Sequence, residues 1–310
     1  MRPRRLRLRR FRPILRPEAG ERLAPELRPR RVGKLAAALP EGIADPGFEV
    51  LLRRIDRAPV LGGNEVEVYL RGEDAFAAMQ EATRAAEREI LAESYIVKDD
   101  LVGRALRREL AAAAARGLDV RLLADAVGSF ATGAAYWDGL RQSGVDVRLY
   151  HPLFPHLWYQ PFRDHRKIFV ADRRVAFTGG MNFGDEYGSP RSQPGQNWRD
   201  THLRVSGPAA WEMAVVFSEG WQRAGGGALE LQPLPAESAE APGARILVLD
   251  SRPGRGHEET ASVLAAIVAA ARHRVWITNA YFAPGHAAVR ILSRAARRGL
   301  DVRLLLPGQT

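Results

Sequence analysis

Residues 164–182 of this 310-residue chain read DHRKIFVADRRVAFTGGMN, and the rest of the sequence can be interpreted around them. His165 and Lys167 stand two positions apart in a short run of apolar, branched and aromatic residues, which predicts a strand over residues 165–171. Alternate residues of a strand point to the same face, so the two side chains are expected to project together. A nucleophile or general base beside a fixed cation suits chemistry on an anionic phosphate.

The second half of the stretch contains a turn and a pair of glycines. Asp172 lies where the first strand must turn, and a second strand over residues 175–178 leads into Gly179 and Gly180. Glycines let backbone N–H groups approach an anion closely, and Asn182 adds a side-chain donor. These features predict a loop that binds phosphate.

Composition limits the other kinds of site. The hydrophobic fraction of 46% and the charged fraction of 26% are ordinary for a globular protein, and the length favours two domains. The chain has no cysteine, which excludes disulfides, thiolate nucleophiles and cysteine-based metal sites. No run of about 18 apolar residues occurs, and the N-terminus lacks an apolar signal core. We therefore expect neither a transmembrane helix nor a signal peptide.

The net charge of +10 is concentrated at the N-terminus. Residues 1–34 hold 13 basic and three acidic side chains, whereas the rest of the chain has 33 of each. Frequent prolines argue against a long helix there, so residues 1–44 are expected to form a disordered basic tail. Such a tail is either a solvated segment without a dedicated role or an attachment to an anionic lipid surface or to nucleic acid. Charge alone does not choose between these interpretations.

Strands and helices alternate from residue 66 onward, which predicts a layered α/β domain with a largely parallel sheet. Ahead of this alternation, residues 48–55 are predicted to form a short amphipathic helix, and Gly62-Gly63-Asn64 is predicted to be a turn. A Gly- and Pro-rich segment later in the chain is typical of a linker. The predicted tail, first domain, linker and incomplete second domain occupy residues 1–44, 45–223, 224–244 and 245–310.

An internal repeat defines the second domain. The eight residues RGLDVRLL occur at residues 116–123 and again at residues 298–305, each time where a predicted helix ends and a strand begins. An identity of this length with matching secondary structure indicates duplication. At the same offset of 182 residues, a second copy of the His165 motif would fall beyond Thr310. We therefore expect the chain to be part of a longer protein with two such motifs.

The pattern His165-x-Lys167-x4-Asp172-x6-Gly179-Gly180-x-Asn182 resembles the HKD motif of the phospholipase D superfamily, and its wider context is similar to bacterial cardiolipin synthases. The stretches that carry this wider resemblance are Gly63-Asn64, Glu93-Ser94-Tyr95-Ile96, Asp125-x-x-Gly128-Ser129, Arg163-Asp164, Trp198-Arg199-Asp200-Thr201-His202, Gly207-Pro208 and Tyr281-Phe282-x-Pro284. The resemblance implies a phospholipase D-like α/β/α domain with a largely parallel sheet, followed by a partial second copy of the same domain.

The resemblance also implies a mechanism. In that family a motif histidine attacks phosphorus to give a phosphohistidine, while the histidine of the partner motif acts first as acid and then as base. His165 is therefore the nucleophile or the general acid. Lys167 and Asn182 are expected to hold phosphate oxygens, and Gly180 is expected to allow their close approach.

The remaining site residues have supporting roles under the same resemblance. Asp172 is placed in the catalytic set, but its parity turns it away from His165, so it is expected to orient neighbouring groups rather than transfer protons. Asp200 and His202 are expected to support the site from outside the motif. No metal or other cofactor is required, which agrees with the absence of metal-ligand patterns in the sequence.

Three classes of function remain. The favoured one is a cytoplasmic, peripheral membrane phosphatidyltransferase that acts on phosphatidylglycerol. It is expected to bind the membrane through its basic tail. Its second HKD half is expected to come from the missing C-terminal part or from a second chain. The second is a phospholipase D-type hydrolase or a nuclease-type phosphodiesterase; the neutral charge of the folded part disfavours nucleic acid as a partner. The third is a catalytically silent half that binds lipid.

Overall fold

The computed structural model describes residues 27–56, 58–151, 163–189, 197–232, 241–250, 259–306 and residue 308. These residues fall into two compact units. The first unit spans residues 61–248, and the second combines the residues up to 60 with those from 249 onward. Each unit has its own apolar core.

Nine α-helices and ten strands are present in these ranges. The helices are α1 (Pro29–Ala37), α2 (Pro46–Asp56), α3 (Gly72–Ala85), α4 (Leu101–Ala115), α5 (Ala134–Gln142), α6 (Asp185–Gly188), α7 (Pro208–Arg223), α8 (Glu259–Ala270) and α9 (His286–Arg297). The strands are β1 (Val60–Tyr69), β2 (Glu89–Ser94), β3 (Asp119–Asp125), β4 (Asp146–Tyr150), β5 (Ile168–Ala171), β6 (Val175–Gly179), β7 (His202–Ser206), β8 (Ala244–Leu247), β9 (Arg274–Thr278) and β10 (Asp301–Leu305). Within the described ranges, every helix is too short or too polar to cross a bilayer.

The first unit is built on one sheet with the strand order β4-β3-β2-β5-β6-β7-β1-β8. β2, β3 and β4 are parallel neighbours, whereas β5 pairs antiparallel with both β2 and β6, and β7 pairs antiparallel with both β6 and β1. β1, β2, β3, β4 and β6 therefore share one direction, and β5 and β7 oppose it. The sheet is largely parallel in strand direction but mixed in pairing, because the short turn between β5 and β6 can join only antiparallel strands.

Helices cover both faces of this sheet, which confirms the predicted α/β/α layers. Alternate residues of β5 point to opposite faces: Phe169 and Ala171 join the core beneath α3, α4 and α5, while Ile168 and Val170 join the core beneath α7. All four side chains are buried. The strand that follows His165 is therefore central in the sheet and packed on both faces.

The predicted turn at Gly62-Gly63-Asn64 is wrong, because β1 runs through these residues. Gly63 has a positive φ of 69°, and the Asn64 side chain satisfies the backbone around it. Its amide nitrogen donates to the carbonyl oxygens of Leu61 and Ala244, at 2.8 and 3.0 Å, and its oxygen accepts from the N–H of Ala209 at 2.8 Å. The irregularity is accommodated inside the strand and does not end it.

The prediction of a disordered tail over residues 1–44 is wrong from Pro29 onward, where α1 forms. Pro29 occupies the first turn of this helix, the position where a missing N–H costs least. Val32 and Ala36 are fully buried against α8. Residues 1–26 lie outside the described ranges.

The predicted domain boundaries also need correction. Residues 45–60 were expected in the first domain, but α2 packs in the core of the second unit together with α1 and α8. Conversely, β8 joins the sheet of the first unit instead of starting the second domain. Within the predicted linker, Leu229 is buried in the core beneath α7, and residues 233–240 lie outside the described ranges.

The repeat extends from sequence to structure. In the first unit Arg116 donates from Nη2 to the carbonyl oxygen of Thr83 at 2.7 Å, near the end of α3. In the second unit Arg298 donates from Nη1 to the carbonyl oxygen of Ala269 at 2.8 Å, near the end of α8. The next residues, Gly117 and Gly299, have φ values of 89° and 88°. β9 and β10 then pair in parallel, as β2 and β3 do.

Candidate active site

His165 lies just before β5, which begins three residues later, so the strand predicted from residue 165 is too long. In place of a neighbouring strand, two carboxylates accept backbone N–H groups of this segment. The backbone N–H of Asp164 donates to Asp125 Oδ2 at 2.9 Å, and that of Arg166 donates to Asp164 Oδ1 at 3.1 Å. The segment is held in place by side chains from its own loop and from the end of β3.

His165 and Lys167 meet on the ring of Tyr95. The ring centroids of His165 and Tyr95 are 4.7 Å apart, and Lys167 Nζ lies 5.4 Å from the Tyr95 centroid. Lys167 Nζ also donates to the carbonyl oxygen of His165 at 2.8 Å. His165 is exposed to solvent, whereas Lys167 is buried. The structure thus brings together the two residues that the motif spacing predicts on one face.

The environment changes the pKa of both groups. Partial desolvation of the ring and the nearby Lys167 ammonium lower the pKa of His165 from its ordinary value. Burial lowers the pKa of Lys167 to about 8, although the carboxylates of Asp164 and Asp200 oppose this shift. At neutral pH the pair therefore combines a neutral imidazole with a charged lysine.

The segment is also held by a guanidinium, that of Arg166, which binds two buried carboxyl groups. Arg166 Nε donates to Glu93 Oε1 at 2.6 Å and to Asp164 Oδ1 at 3.2 Å. Burial raises the pKa of Glu93 well above its ordinary value. Burial alone would also raise the pKa of Asp164, but the charge of Arg166 together with the hydrogen bonds from Glu93 and Arg166 outweighs burial and lowers that pKa. Asp164 is therefore the charged partner of Arg166, and it holds the backbone after His165 while Asp125 holds the backbone before it.

Gly179, the last residue of β6, and Gly180 after it leave room for the chain before β7. A Cβ on Gly179 would lie 2.3 Å from the carbonyl oxygen of Thr201, and a Cβ on Gly180 would lie 2.1 Å from Asp200 Oδ1. Gly180 was expected to admit a phosphate. The structure instead places the Asp200 carboxylate against it, where its charge favours the protonated form of Lys167.

The amide of Asn182, expected to bind phosphate, is bonded within the protein. Its oxygen accepts from the N–H of Ile96 at 3.1 Å and from Ser94 Oγ at 3.3 Å, and its nitrogen donates to Tyr187 Oη at 2.8 Å. Asn182 is buried. Its observed contacts hold the loop that carries Tyr95 beside His165.

Asp172 lies at the opposite end of β5 from His165. With about 3.3 Å per residue, the four positions from Ile168 to Asp172 put it roughly 13 Å further along the strand. Its carboxylate accepts from the backbone N–H groups of Glu87 and Glu89, at 2.8 and 2.9 Å, and from that of the residue between them. Burial would raise the pKa of Asp172, but these N–H groups outweigh it and lower the pKa. Its placement in the catalytic set is corrected, because its contacts are with the β2 entry loop.

His202 begins β7, where it pairs with Gly179. Its side chain is buried, and this burial together with the charge of Lys167 lowers the pKa of His202 to about 4. The imidazole is neutral at physiological pH. His202 is thus placed near Lys167, in agreement with a supporting role.

Sequence reasoning gave no role to Tyr95, Glu93 or Arg166. Glu93 and Tyr95 belong to a stretch that carries the family resemblance, which was the available signal, but a spacing pattern does not show that Tyr95 meets a residue 70 positions later. Gly128 gave a similar signal. A Cβ there would lie 2.0 Å from the carbonyl oxygen of Tyr95, so Gly128 allows the Tyr95 loop to pack closely.

The described residues contain no group of three or more His, Cys, Asp or Glu side chains arranged to hold a metal ion. The charged groups that act on the His165 ring are Lys167, Asp164 and Asp125.

Comparisons with known proteins agree with the motif. Residues 79–189 match the family model described as "Cardiolipin synthase, PLD-like domain". The chain is 38% identical over 260 residues to cardiolipin synthase A of Pseudomonas syringae pv. syringae, covering 83% of this chain and 53% of that protein. It is 38% identical over 268 residues to cardiolipin synthase A of Pseudomonas aeruginosa, covering 85% of this chain and 53% of that protein. The chain therefore spans about half the length of the curated relatives it matches.

A solved structure supports the fold. The crystal structure of phosphatidylserine synthase from Haemophilus influenzae aligns with a TM-score of 0.60 and 15% identity, covering 84% of this chain and 66% of that one. At this identity the likeness bears on fold alone. Motif, family match and fold agree: the chain belongs to the HKD phospholipase D superfamily and is similar to the bacterial cardiolipin synthases.

Proposed function

We propose that this chain carries one half of the active site of a cardiolipin synthase-like phosphatidyltransferase, with His165 as its nucleophile. The observation that carries the proposal is the meeting of His165 and Lys167 on Tyr95. A nucleophile must present a lone pair, and the lowered pKa of His165 favours the neutral imidazole. The 38% identity to cardiolipin synthase A over more than four fifths of the chain supports the same reaction.

The proposed reaction has two displacements at phosphorus. First, a nitrogen of His165 bonds to the phosphorus of phosphatidylglycerol, the bond to the glycerol oxygen breaks, and that oxygen takes a proton from a general acid. Second, a hydroxyl oxygen of another phosphatidylglycerol attacks phosphorus, its proton passes to the group that acted as acid, and the bond to His165 breaks. The products are cardiolipin and glycerol. Water as acceptor would give phosphatidic acid, which is the hydrolase alternative.

Lys167 stabilises the phosphate oxygens in this scheme. The surrounding carboxylates favour its charged form despite burial, and its hydrogen bond to the carbonyl oxygen of His165 holds it in place before substrate binds. Tyr95 positions both reacting groups, Asp200 maintains the charge of Lys167, and Asn182 holds the Tyr95 loop. The Asn182 amide can bind phosphate only with its remaining N–H, since the other polar positions are used within the protein.

The proposed partners are an anionic phospholipid, with phosphatidylglycerol as the substrate, and a second HKD half whose histidine supplies the general acid. This half belongs to a further part of the protein or to a second chain. We propose a peripheral position on the cytoplasmic membrane surface, with the basic residues near the N-terminus as one source of attraction. The cardiolipin synthases similar to this chain support the substrate class.

The test is lipid turnover by the full chain on phosphatidylglycerol vesicles, alone and after addition of the C-terminal half of the similar Pseudomonas aeruginosa enzyme. We expect cardiolipin formation in at least the second arrangement, loss of it in His165→Ala, and its retention in the matched surface variant His273→Ala. Cleavage of DNA without lipid turnover, or no turnover in either arrangement, would contradict the proposal.

A further inference from the structure

The second unit contains a basic cleft between α1 and α9 that the proposed reaction does not use. Its volume is about 420 Å³. Among the described residues that line it, all the ionisable side chains are cationic; they are Arg30, Lys34, Arg290, Arg294 and Arg298. A cleft of this size lies within the range of ordinary ligand sites. Its lining charge is of a single sign.

The cations form two facing rows. Arg30 and Lys34 are four residues apart on α1, and Arg290 and Arg294 are four residues apart on α9, with Arg298 one turn beyond them. Like charges at this spacing lie on one helix face and repel each other, which costs stability. Two such rows on opposite walls of a cleft are more unfavourable still unless an anion lies between them.

Within the described ranges, no carboxylate pairs with the first four of these cations. Arg298 is engaged, since it donates to the carbonyl oxygens of Ala269 and Ala271 at the end of α8, at 2.8 and 3.1 Å. Arg30, Lys34, Arg290 and Arg294 are exposed to solvent. Other surface arginines do have partners in this protein: Arg104 pairs with Asp99 at 2.7 Å. The cleft therefore holds four cations that are available to a bound anion.

The uncharged part of the cleft lining favours a small ligand group without aromatic rings. Small residues form the space between the two rows, among them Gly33, Ala37, Ala269 and Ala287. The lining within the described residues includes no aromatic side chain, so it offers no surface on which nucleic-acid bases could stack. A phosphate group fits these walls, because it is small, anionic and able to accept several charge-assisted hydrogen bonds.

Two exposed aliphatic side chains lie on the same two helices as the cations, outside the cleft lining. Leu35 on α1 and Val289 on α9 are each 48% exposed, and each is adjacent in sequence to a cleft cation, Lys34 and Arg290 respectively. Helices that combine cations with exposed aliphatic residues are typical of proteins that lie on lipid surfaces. This combination favours a phosphate presented by a membrane over a phosphate free in solution.

We propose that the α1/α9 cleft binds the phosphate of an anionic phospholipid headgroup, and that the second unit docks on a membrane surface through it. The site is separate from the chemistry at His165. It concerns binding alone, so its failure would leave the proposed reaction unaffected, and loss of the reaction would leave binding intact.

The experiment measures binding of the full chain to vesicles of phosphatidylglycerol mixed with phosphatidylcholine, and to vesicles of phosphatidylcholine alone. The cleft variant is Lys34→Gln with Arg290→Gln. Its matched control is Arg31→Gln with Arg297→Gln, which removes the same charge from exposed positions of the same helices outside the cleft lining. We expect the cleft variant to bind the anionic vesicles about tenfold more weakly, and the control to change by about twofold or less.

A third variant separates shape from charge. Ala287→Leu narrows the cleft at constant charge and alters an exposed position, so it also provides a test if the double variant fails to fold by circular dichroism. It too should weaken binding. If the cleft and control variants lost vesicle binding equally and Ala287→Leu had no effect, the cleft would not be the binding site, and the attraction would be unspecific.

Two competitors identify the source of the phosphate. Free glycerol 3-phosphate and single-stranded DNA are each titrated against the full chain and the cleft variant, and against vesicle binding. We expect glycerol 3-phosphate to compete only weakly with vesicle binding. We also expect the full chain and the cleft variant to bind DNA equally. Tight, cleft-dependent binding of either competitor without vesicle binding would overturn the assignment to a membrane surface.

Discussion

The carboxylate of Asp200 occupies the space in which a side chain on Gly180 would lie: a Cβ there would be 2.1 Å from Asp200 Oδ1 and 2.3 Å from Oδ2. The motif glycine at position 180 therefore leaves room for an acidic residue 20 positions later. Asp200 in turn favours the charged form of Lys167, against the burial that lowers the pKa of Lys167 to about 8. The motif glycine and the motif lysine are connected through a residue outside the motif.

Gly180→Ala is expected to lower activity about tenfold or more by displacing Asp200 from Lys167. The double variant Gly180→Ala with Asp200→Ala should lose little beyond Asp200→Ala alone, because both changes act on the same contact. Lipid turnover of the two single variants, the double variant and the unchanged protein gives a double-mutant cycle. Additive losses would show that Gly180 acts on phosphate directly.

Tyr95 offers a test of how the two reacting groups are positioned. Tyr95→Phe keeps the ring that contacts His165 and Lys167 and should retain nearly full activity. Tyr95→Ala removes the ring and is expected to reduce turnover about tenfold, chiefly in kcat. Thermal unfolding of both variants checks that the fold is kept. A loss of turnover of about tenfold or more in Tyr95→Phe would instead show that the hydroxyl group of Tyr95 takes part in the reaction.

Asp172→Ala is expected to destabilise the first unit without disabling the chemistry. The carboxylate accepts from three consecutive backbone N–H groups, and their loss should cost about 2–4 kcal/mol in the free energy of unfolding. Asp172→Asn, which keeps an acceptor and tolerates the positive φ of 52°, should cost less. Denaturant unfolding gives both values. A folded Asp172→Ala protein without turnover would return Asp172 to the catalytic set.

His202 should make the stability of the first unit depend on pH. Its pKa is about 4 in the folded protein and near 6.5 when unfolded, so the unfolded chain binds more protons between these values. The stabilisation from a neutral His202 is present above pH 6.5 and is lost as the pH falls through 4, by about 3 kcal/mol. His202→Gln removes this contribution, so the difference between the two unfolding curves should change by that amount from pH 7 to pH 4. Parallel curves would contradict the burial of a neutral imidazole.

Local patterns in the sequence predicted much of the fold and the convergence of His165 with Lys167. Alternation of strands and helices indicated the layered domain, and motif spacing placed two side chains together. Asp172 was expected to orient neighbouring groups, and it lies at the far end of β5, where its carboxylate binds the backbone that leads into β2. The alternation succeeds because it depends on periodicity within each element, whereas His165 and Lys167 precede β5 and meet at the ring of Tyr95.

Contacts between distant segments could not be predicted in this way. Asp125 and Asp164 accept the backbone N–H groups around His165, and Asp200 fills the space beside Gly180, but no local spacing shows these contacts. The N-terminal prolines and arginines predicted disorder through residue 44, whereas Val32 and Ala36 form a helix by packing on α8, more than 200 residues later. Tertiary burial there outweighs composition.

The proposed reaction requires His165 to form a covalent bond to phosphorus. The direct measurement incubates the full chain, with and without the added second half, with phosphatidylglycerol labelled at phosphorus, quenches the reaction in conditions that preserve phosphohistidine, and locates the label by peptide mass spectrometry. We predict label on His165, none in His165→Ala, and normal labelling in His273→Ala. Label on another residue, or labelling that persists in His165→Ala, would show that His165 is not the nucleophile.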